Sequence, residues 1–96
     1  MAAASWQGRT IADAPATEFV TVEGNIYFPL KAVSRDCLQA SSHTSVCPWK
    51  GTAHCYDVVV AGNINKNAAW YYPEPKEAAQ QIAGRVAFWK GVEVTQ

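Results

Sequence analysis

The stretch VCPWKGTAHCYDVVVAGNINKNAAWYY, Val46 to Tyr72, decides how this chain folds. Pro48 fixes one φ and Gly51 can adopt a positive φ, so VCPWKG reads as a tight turn. The segment that follows, Thr52 to Ala61, is the strongest strand of the chain, dense in strand formers across Cys55 to Val60. Gly62-Asn63-Ile64-Asn65 supplies turn chemistry, and Ala68 to Tyr72 returns antiparallel. Pro73 and Pro75 then end that strand, because neither nitrogen can donate to a ladder.

Outward from this hairpin, the chain continues as short strands. Towards the N-terminus, Ala3 to Trp6 and Thr10 to Ala12 flank Gln7-Gly8-Arg9, and Glu18 to Val22 is separated from Ile26 to Phe28 by Glu23-Gly24-Asn25. Both patterns predict hairpins. Pro29 to Val33 predicts one helical turn, and the small polar run Ala40 to Ser45 predicts a loop leading into the turn at Cys47. Towards the C-terminus, Lys76 to Ala83 (KEAAQQIA) predicts the one short helix, with Gly84 just past its end. Arg85 to Lys90 alternates as a strand, and Val92 to Thr95 forms a last short run. The expected fold is a mainly β, antiparallel single domain spanning residues 1–96.

Composition narrows the function. Of 96 residues, 49% are hydrophobic and 17% charged, the balance of an ordinary globular chain. Eight basic residues cancel eight acidic ones, which leaves no electrostatic footprint for nucleic acid or an anionic membrane. No apolar run approaches the roughly 20 residues of a membrane span, and the start MAAASWQGRTIADA lacks a basic segment before an apolar one. A soluble cytoplasmic protein is therefore expected, with Cys37, Cys47 and Cys55 as free thiols. Near-zero net charge permits self-association, and a homodimer is the expected assembly.

The combination of VCPWKG, YDVVV, AAWYYPEPKEAA and GRVAFWKGVEV resembles the bacterial and cyanobacterial family called domain of unknown function 427, with matching segments from about Asn25 to Val94. That resemblance implies a compact antiparallel β-tent (Mss4-like) fold. The family has also been linked by name to nucleotidyltransferases. Here the carboxylates Asp57, Glu74, Glu77 and Glu93 are scattered and no Gly-rich phosphate loop occurs. Some Mss4-like relatives carry zinc on two CxxC pairs. The three cysteines of this chain are singly spaced and cannot supply four thiolates, so no metal or other cofactor is expected.

The candidate site is drawn from the central stretch. Trp49, Tyr56, Trp70 and Tyr72 are candidate ligand-binding residues, because 11 aromatic side chains, four of them Trp, are many for so small a core. The same aromatics at strand spacing would also serve as core. Cys47 and Lys50 are candidate catalytic groups: a nearby ammonium favours the thiolate, and His43 or His54 could act as base. Alternatively, Cys47 packs as a small hydrophobe beneath the aromatics. A metal set of Cys47, His54 and Cys55 is opposed by strand geometry, since adjacent residues point to opposite faces. The repeated WKG tripeptides at Trp49 and Trp89 place Lys50 and Lys90 beside indoles, an arrangement suited to an anionic or planar ligand. Asp57 either accepts a structural hydrogen bond or faces a pocket as a general base. Three functions follow: binding of a small polar or aromatic ligand, thiol-dependent catalysis at Cys47, or a partner-binding module with no small-molecule site.

Overall fold

A computed structural model describes residues Met1–Gln96 and is mainly β, with antiparallel sheets. The strands are β1 (Ala2–Trp6), β2 (Arg9–Ala14), β3 (Val20–Val22), β4 (Asn25–Tyr27), β5 (Leu38–Cys47), β6 (Gly51–Val60), β7 (Asn63–Tyr71), β8 (Val86–Phe88) and β9 (Glu93–Thr95). They form a three-stranded sheet ordered β2-β1-β9, a hairpin β3-β4, and an open four-stranded sheet ordered β5-β6-β7-β8. Short 3₁₀ turns at Leu30–Ala32, Arg35–Cys37 and Glu77–Ile82 complete the chain.

Four X-Gly pairs set the connections. Gln7-Gly8, Glu23-Gly24, Ala61-Gly62 and Lys90-Gly91 all have positive φ at both residues. In the first three cases the flanking residues pair directly, Trp6 with Arg9, Val22 with Asn25 and Val60 with Asn63, so each is a two-residue turn whose twist matches that of its strands. Only the second residue in each pair is glycine. The first tolerates a left-handed backbone because the register on both sides holds it there.

The central four-stranded sheet is covered on both faces. One face presents Val58, Ala69, Val86 and Phe88 to Ala2, Ala4, Ile11 and Ala12 of the three-stranded sheet, all buried in the larger cluster. The small alanines of β1 and β2 allow the two sheets to approach closely. The other face presents Ala53, Ala87 and Tyr72 to Val22 and Tyr27 of the β3-β4 hairpin and to Ala79 and Ile82 of the last 3₁₀ segment. The hairpin joins the sheet at the β8 edge, where Phe28 and Val86 exchange backbone hydrogen bonds of 2.8 and 2.9 Å. Tyr27 and Phe28, both 0% exposed, therefore point into opposite clusters from adjacent positions.

One expectation is corrected and a second refined. Ala40 to Ser45 is not a loop: it lies within the ten-residue strand β5, whose pairs include Ala40 with Tyr56 and Thr44 with His54. Its side chains are mostly exposed because β5 is an edge strand, so small polar residues suffice and no hydrophobic alternation marks it. Lys76 to Ala83 is not a regular α-helix. Glu77–Ile82 is 3₁₀ and is broken at Ala79, where φ is −123° and ψ is 24°. Eight residues barely repay helix nucleation, and the two buried side chains, Ala79 and Ile82, follow the three-residue repeat of a 3₁₀ segment. Contacts from outside then fix it, including Lys76 N–H to the Lys50 carbonyl at 2.8 Å and Gln80 Nε2 to the Pro75 carbonyl at 2.8 Å.

Gly51 opens β6 with φ at +115°. A Cβ there would meet the Glu74 carbonyl oxygen at 3.5 Å, an ordinary contact, so its cost is conformational rather than steric. Gly51→Ala is expected to lose about 1–2 kcal/mol of stability. Urea unfolding followed by tryptophan fluorescence measures this.

Candidate functional site

On the hairpin-covered face, the central sheet is only partly roofed, and the uncovered part forms an open cleft of about 520 Å³. Its floor is set by register. Cys55 pairs with Trp70, and Ala53 lies two residues before Cys55 on the same face of β6. Tyr72, two residues beyond Trp70, continues the aromatic row, while Trp89 and Lys90 close the far end beyond β8.

The aromatic row is tied down by hydrogen bonds. Trp70 donates its Nε1–H to the Tyr27 hydroxyl at 3.2 Å and meets Tyr27 edge to face, with ring centroids 6.2 Å apart. Trp89 donates its Nε1–H to the Asn67 carbonyl at 2.7 Å and crosses Trp70 at 5.9 Å and 82°. Trp89 is 52% exposed, yet this bond anchors its ring. Asn67 is held in turn. Its N–H donates to Asp57 Oδ1 at 2.9 Å, its side-chain oxygen accepts from the Ser41 hydroxyl at 2.5 Å, and its φ is +56°. Pairing between β6 and β7 slips at this point, leaving Asp57 opposite a bulge. Asp57 thus accepts the structural hydrogen bond that steadies Asn67, the first of the two roles its sequence position allows.

At the other end lies Lys50, whose side chain is 8% exposed. Its Nζ donates to Glu23 Oε1 at 2.6 Å and sits 5.5 Å from the Trp49 ring centroid and 5.6 Å from that of Tyr72. Burial works against the ammonium, but the hydrogen bond to Glu23 and the nearby Tyr27 and Tyr72 hydroxyls outweigh it, so the Lys50 pKa rises. The same hydrogen bond lowers the Glu23 carboxyl, against partial desolvation. Burial chiefly pushes the Tyr72 phenol up, with Lys50 acting in the opposite sense. Burial also raises the Cys55 thiol, and the Lys90 charge pulls against it.

These shifts give the Glu23–Lys50 pair a defined pH window. The Glu23 contribution is present above the ordinary carboxylate value of 4.5 and is lost as pH falls through the lower folded-state pKa. The Lys50 contribution is present below 10.5 and is lost as pH rises through the higher folded-state pKa. Glu23→Gln is therefore expected to lower the melting temperature at neutral pH and to match the parent protein in strong acid. Melting curves of both proteins across pH test this; a constant difference would refute it.

Of the residues singled out from sequence, Lys50, Trp70 and Tyr72 come together in the cleft, with His43 on its wall. Trp49, 39% exposed, stands beside Lys50 but does not line the cleft. Cys47 is half-buried against the smaller hydrophobic cluster and does not line the cleft. Tyr56 is not part of it: it stacks on Tyr71 at 4.7 Å on the opposite face of the sheet, which is the correction that alternation along β6 imposes. His54 lies with them, 5.7 Å from Tyr71. His54 and Cys55 therefore face apart, and nowhere do three or more His, Cys, Asp or Glu side chains gather as a metal-ligating group. Glu23, Asn67 and Cys55 contribute to the site without having been assigned to it from sequence. Glu23 carried one signal: it sits where a two-residue turn prefers Asn or Asp, so a side-chain role was readable.

Fold and cleft together define a small antiparallel β domain with an open aromatic cleft on its central sheet. The chain belongs to the family described as Domain of unknown function (DUF427), which it matches over residues 2–96. No curated protein matches it. No helix is long and apolar enough to cross a membrane.

Proposed function

We propose that this protein binds a small polar or aromatic molecule in the cleft formed by Trp70, Tyr72, Trp89 and Lys50. One observation carries the reading: a nearly buried ammonium and three aromatic side chains open into one concavity of about 520 Å³. Small-molecule sites have this size and make-up, with apolar walls and a few convergent polar groups. Anchored indoles add to it, because rings already fixed lose little entropy on contact with a ligand.

Native mass spectrometry of freshly purified protein, with melting curves against a panel of small aromatic compounds, tests the proposal. The expected result is a retained molecule or a melting shift, lost in Trp89→Ala, a variant of an exposed ring that leaves both cores intact. Bare protein mass and an unmoved transition with every compound would overturn it. Thiol-dependent catalysis is the competing class. Iodoacetamide labelling across pH separates the two, since rapid labelling of Cys47 in mild acid would favour catalysis. Burial raises the thiols of Cys37 and Cys55, which are expected to label slowly in the native protein. A cytoplasmic homodimer is the proposed working state, and sedimentation velocity of the purified chain measures that assembly.

A further inference from the structure

Resting on that reading, we propose that the cleft selects a planar aromatic anion, its ring against Trp70 and Trp89 and its negative group at Lys90. The cleft lining contains two lysines and no carboxylate. Lys50 is already neutralised by Glu23 from outside the lining, whereas no carboxylate lies within ion-pair distance of Lys90. A ligand anion is the partner that Lys90 lacks. The lysine is also well placed. The turn fixes its backbone at φ +54°, Asn65 Nδ2 donates to its carbonyl at 2.6 Å, and the Val92 N–H closes on the Trp89 carbonyl at 3.2 Å. Its Nζ stands 5.2 Å from the Trp89 ring centroid, and its charge is felt at Cys55 on the cleft floor.

The indoles decide the shape of the body. Both Nε1–H groups are used internally, by Tyr27 and by the Asn67 carbonyl, so neither is left to donate to a ligand. What they offer is π surface, arranged edge to face at 82°. A flat ring can lie on one indole and meet the edge of the other, a geometry that aromatic pairs favour. Indoles alone would also attract a cation. With the Lys90 ammonium uncompensated and no acid in the lining, a cationic guest is repelled instead.

Four probes of related shape test this: naphthalene-2-carboxylate, naphthalene-2-carboxamide, 2-naphthylmethylammonium and cyclohexanecarboxylate. Each is titrated while the indole N–H resonances of Trp70 and Trp89 are followed by NMR. The carboxylate is expected to shift both resonances and to bind about tenfold tighter than the carboxamide. Lys90→Asn removes the charge and keeps a residue suited to the left-handed turn. In that variant the advantage is expected to fall to about twofold or less, while Lys31→Asn, outside the cleft, retains it. Equal or tighter binding of the carboxamide or the ammonium would overturn the anionic class and leave a small-molecule cleft standing. Cyclohexanecarboxylate binding as tightly as naphthalene-2-carboxylate would overturn the planar requirement alone. Failure of all four probes to move either indole resonance would overturn this inference, whereas the proposed function falls only if the native mass is also bare and no compound of the wider panel moves the melting transition.

Discussion

Phe28→Ala is expected to cost about 3–5 kcal/mol, the range for truncating a fully buried aromatic side chain. Phe28 is 0% exposed and meets Phe88 edge to face at 5.8 Å, so truncation leaves a cavity between the central sheet and the β1-β2-β9 sheet. Its backbone also bonds both ways with Val86, which carries the β3-β4 hairpin on the sheet edge. A cavity beside that junction loosens the wall holding Tyr27 and Glu23, and through them the cleft. A domain of this size has about 5–15 kcal/mol in total, so the variant is expected to be partly unfolded at ambient temperature. Chemical denaturation gives the value. Phe28→Leu keeps most of the volume and is expected to recover more than half of it. A loss under about 1 kcal/mol in Phe28→Ala would mean that the two layers are not held through this contact.

The hairpins were legible because their signals are local. Gln7-Gly8, Glu23-Gly24 and Gly62 announce turns, and CYDVVV announces a strand, without reference to anything distant, although the third turn is Ala61-Gly62 and Asn63 to Asn65, read as turn, already belong to β7. β5 was not legible, because an edge strand that buries neither face needs only a neighbour to pair with, and that neighbour, β6, lies after the turn. The short helix was legible in place but not in winding: good helix formers gave the right location, and Ile82, Ala79 and the Lys50 carbonyl chose the 3₁₀ form. In the cleft, strand alternation alone puts Trp70 and Tyr72, two residues apart, on one face. It could not say that Trp89 and Lys90 arrive beside them, since that depends on β8 pairing with β7 at Ala87 opposite Trp70. The bulge at Asp57 and the opposite facing of Tyr56 likewise follow from pairing between strands rather than from either strand alone.

Trp70→Ala is expected to cost about 3 kcal/mol and to remove the middle of the aromatic row. Two effects combine, and a double-mutant cycle separates them. The first is lost packing against Tyr27 and Trp89. The second is polar: Tyr27 is 0% exposed, and its hydroxyl accepts from Trp70 Nε1. Every buried side-chain nitrogen and oxygen has a partner in the native fold, so deleting this donor leaves a buried oxygen short of one. Trp70→Phe keeps an aromatic body and removes the donor, with an expected loss of about 2 kcal/mol. Adding Tyr27→Phe removes the orphaned acceptor, and the double variant is expected to regain about 1 kcal/mol of that loss, because apolar groups on both sides leave nothing unpaired. Strictly additive losses would show that the bond contributes nothing and that packing alone holds Trp70. If Tyr27→Phe alone, with Trp70 still in place, binds aromatic anions less tightly at little cost in stability, Tyr27 serves the cleft by fixing the Trp70 ring plane, a role separable from its place in the core.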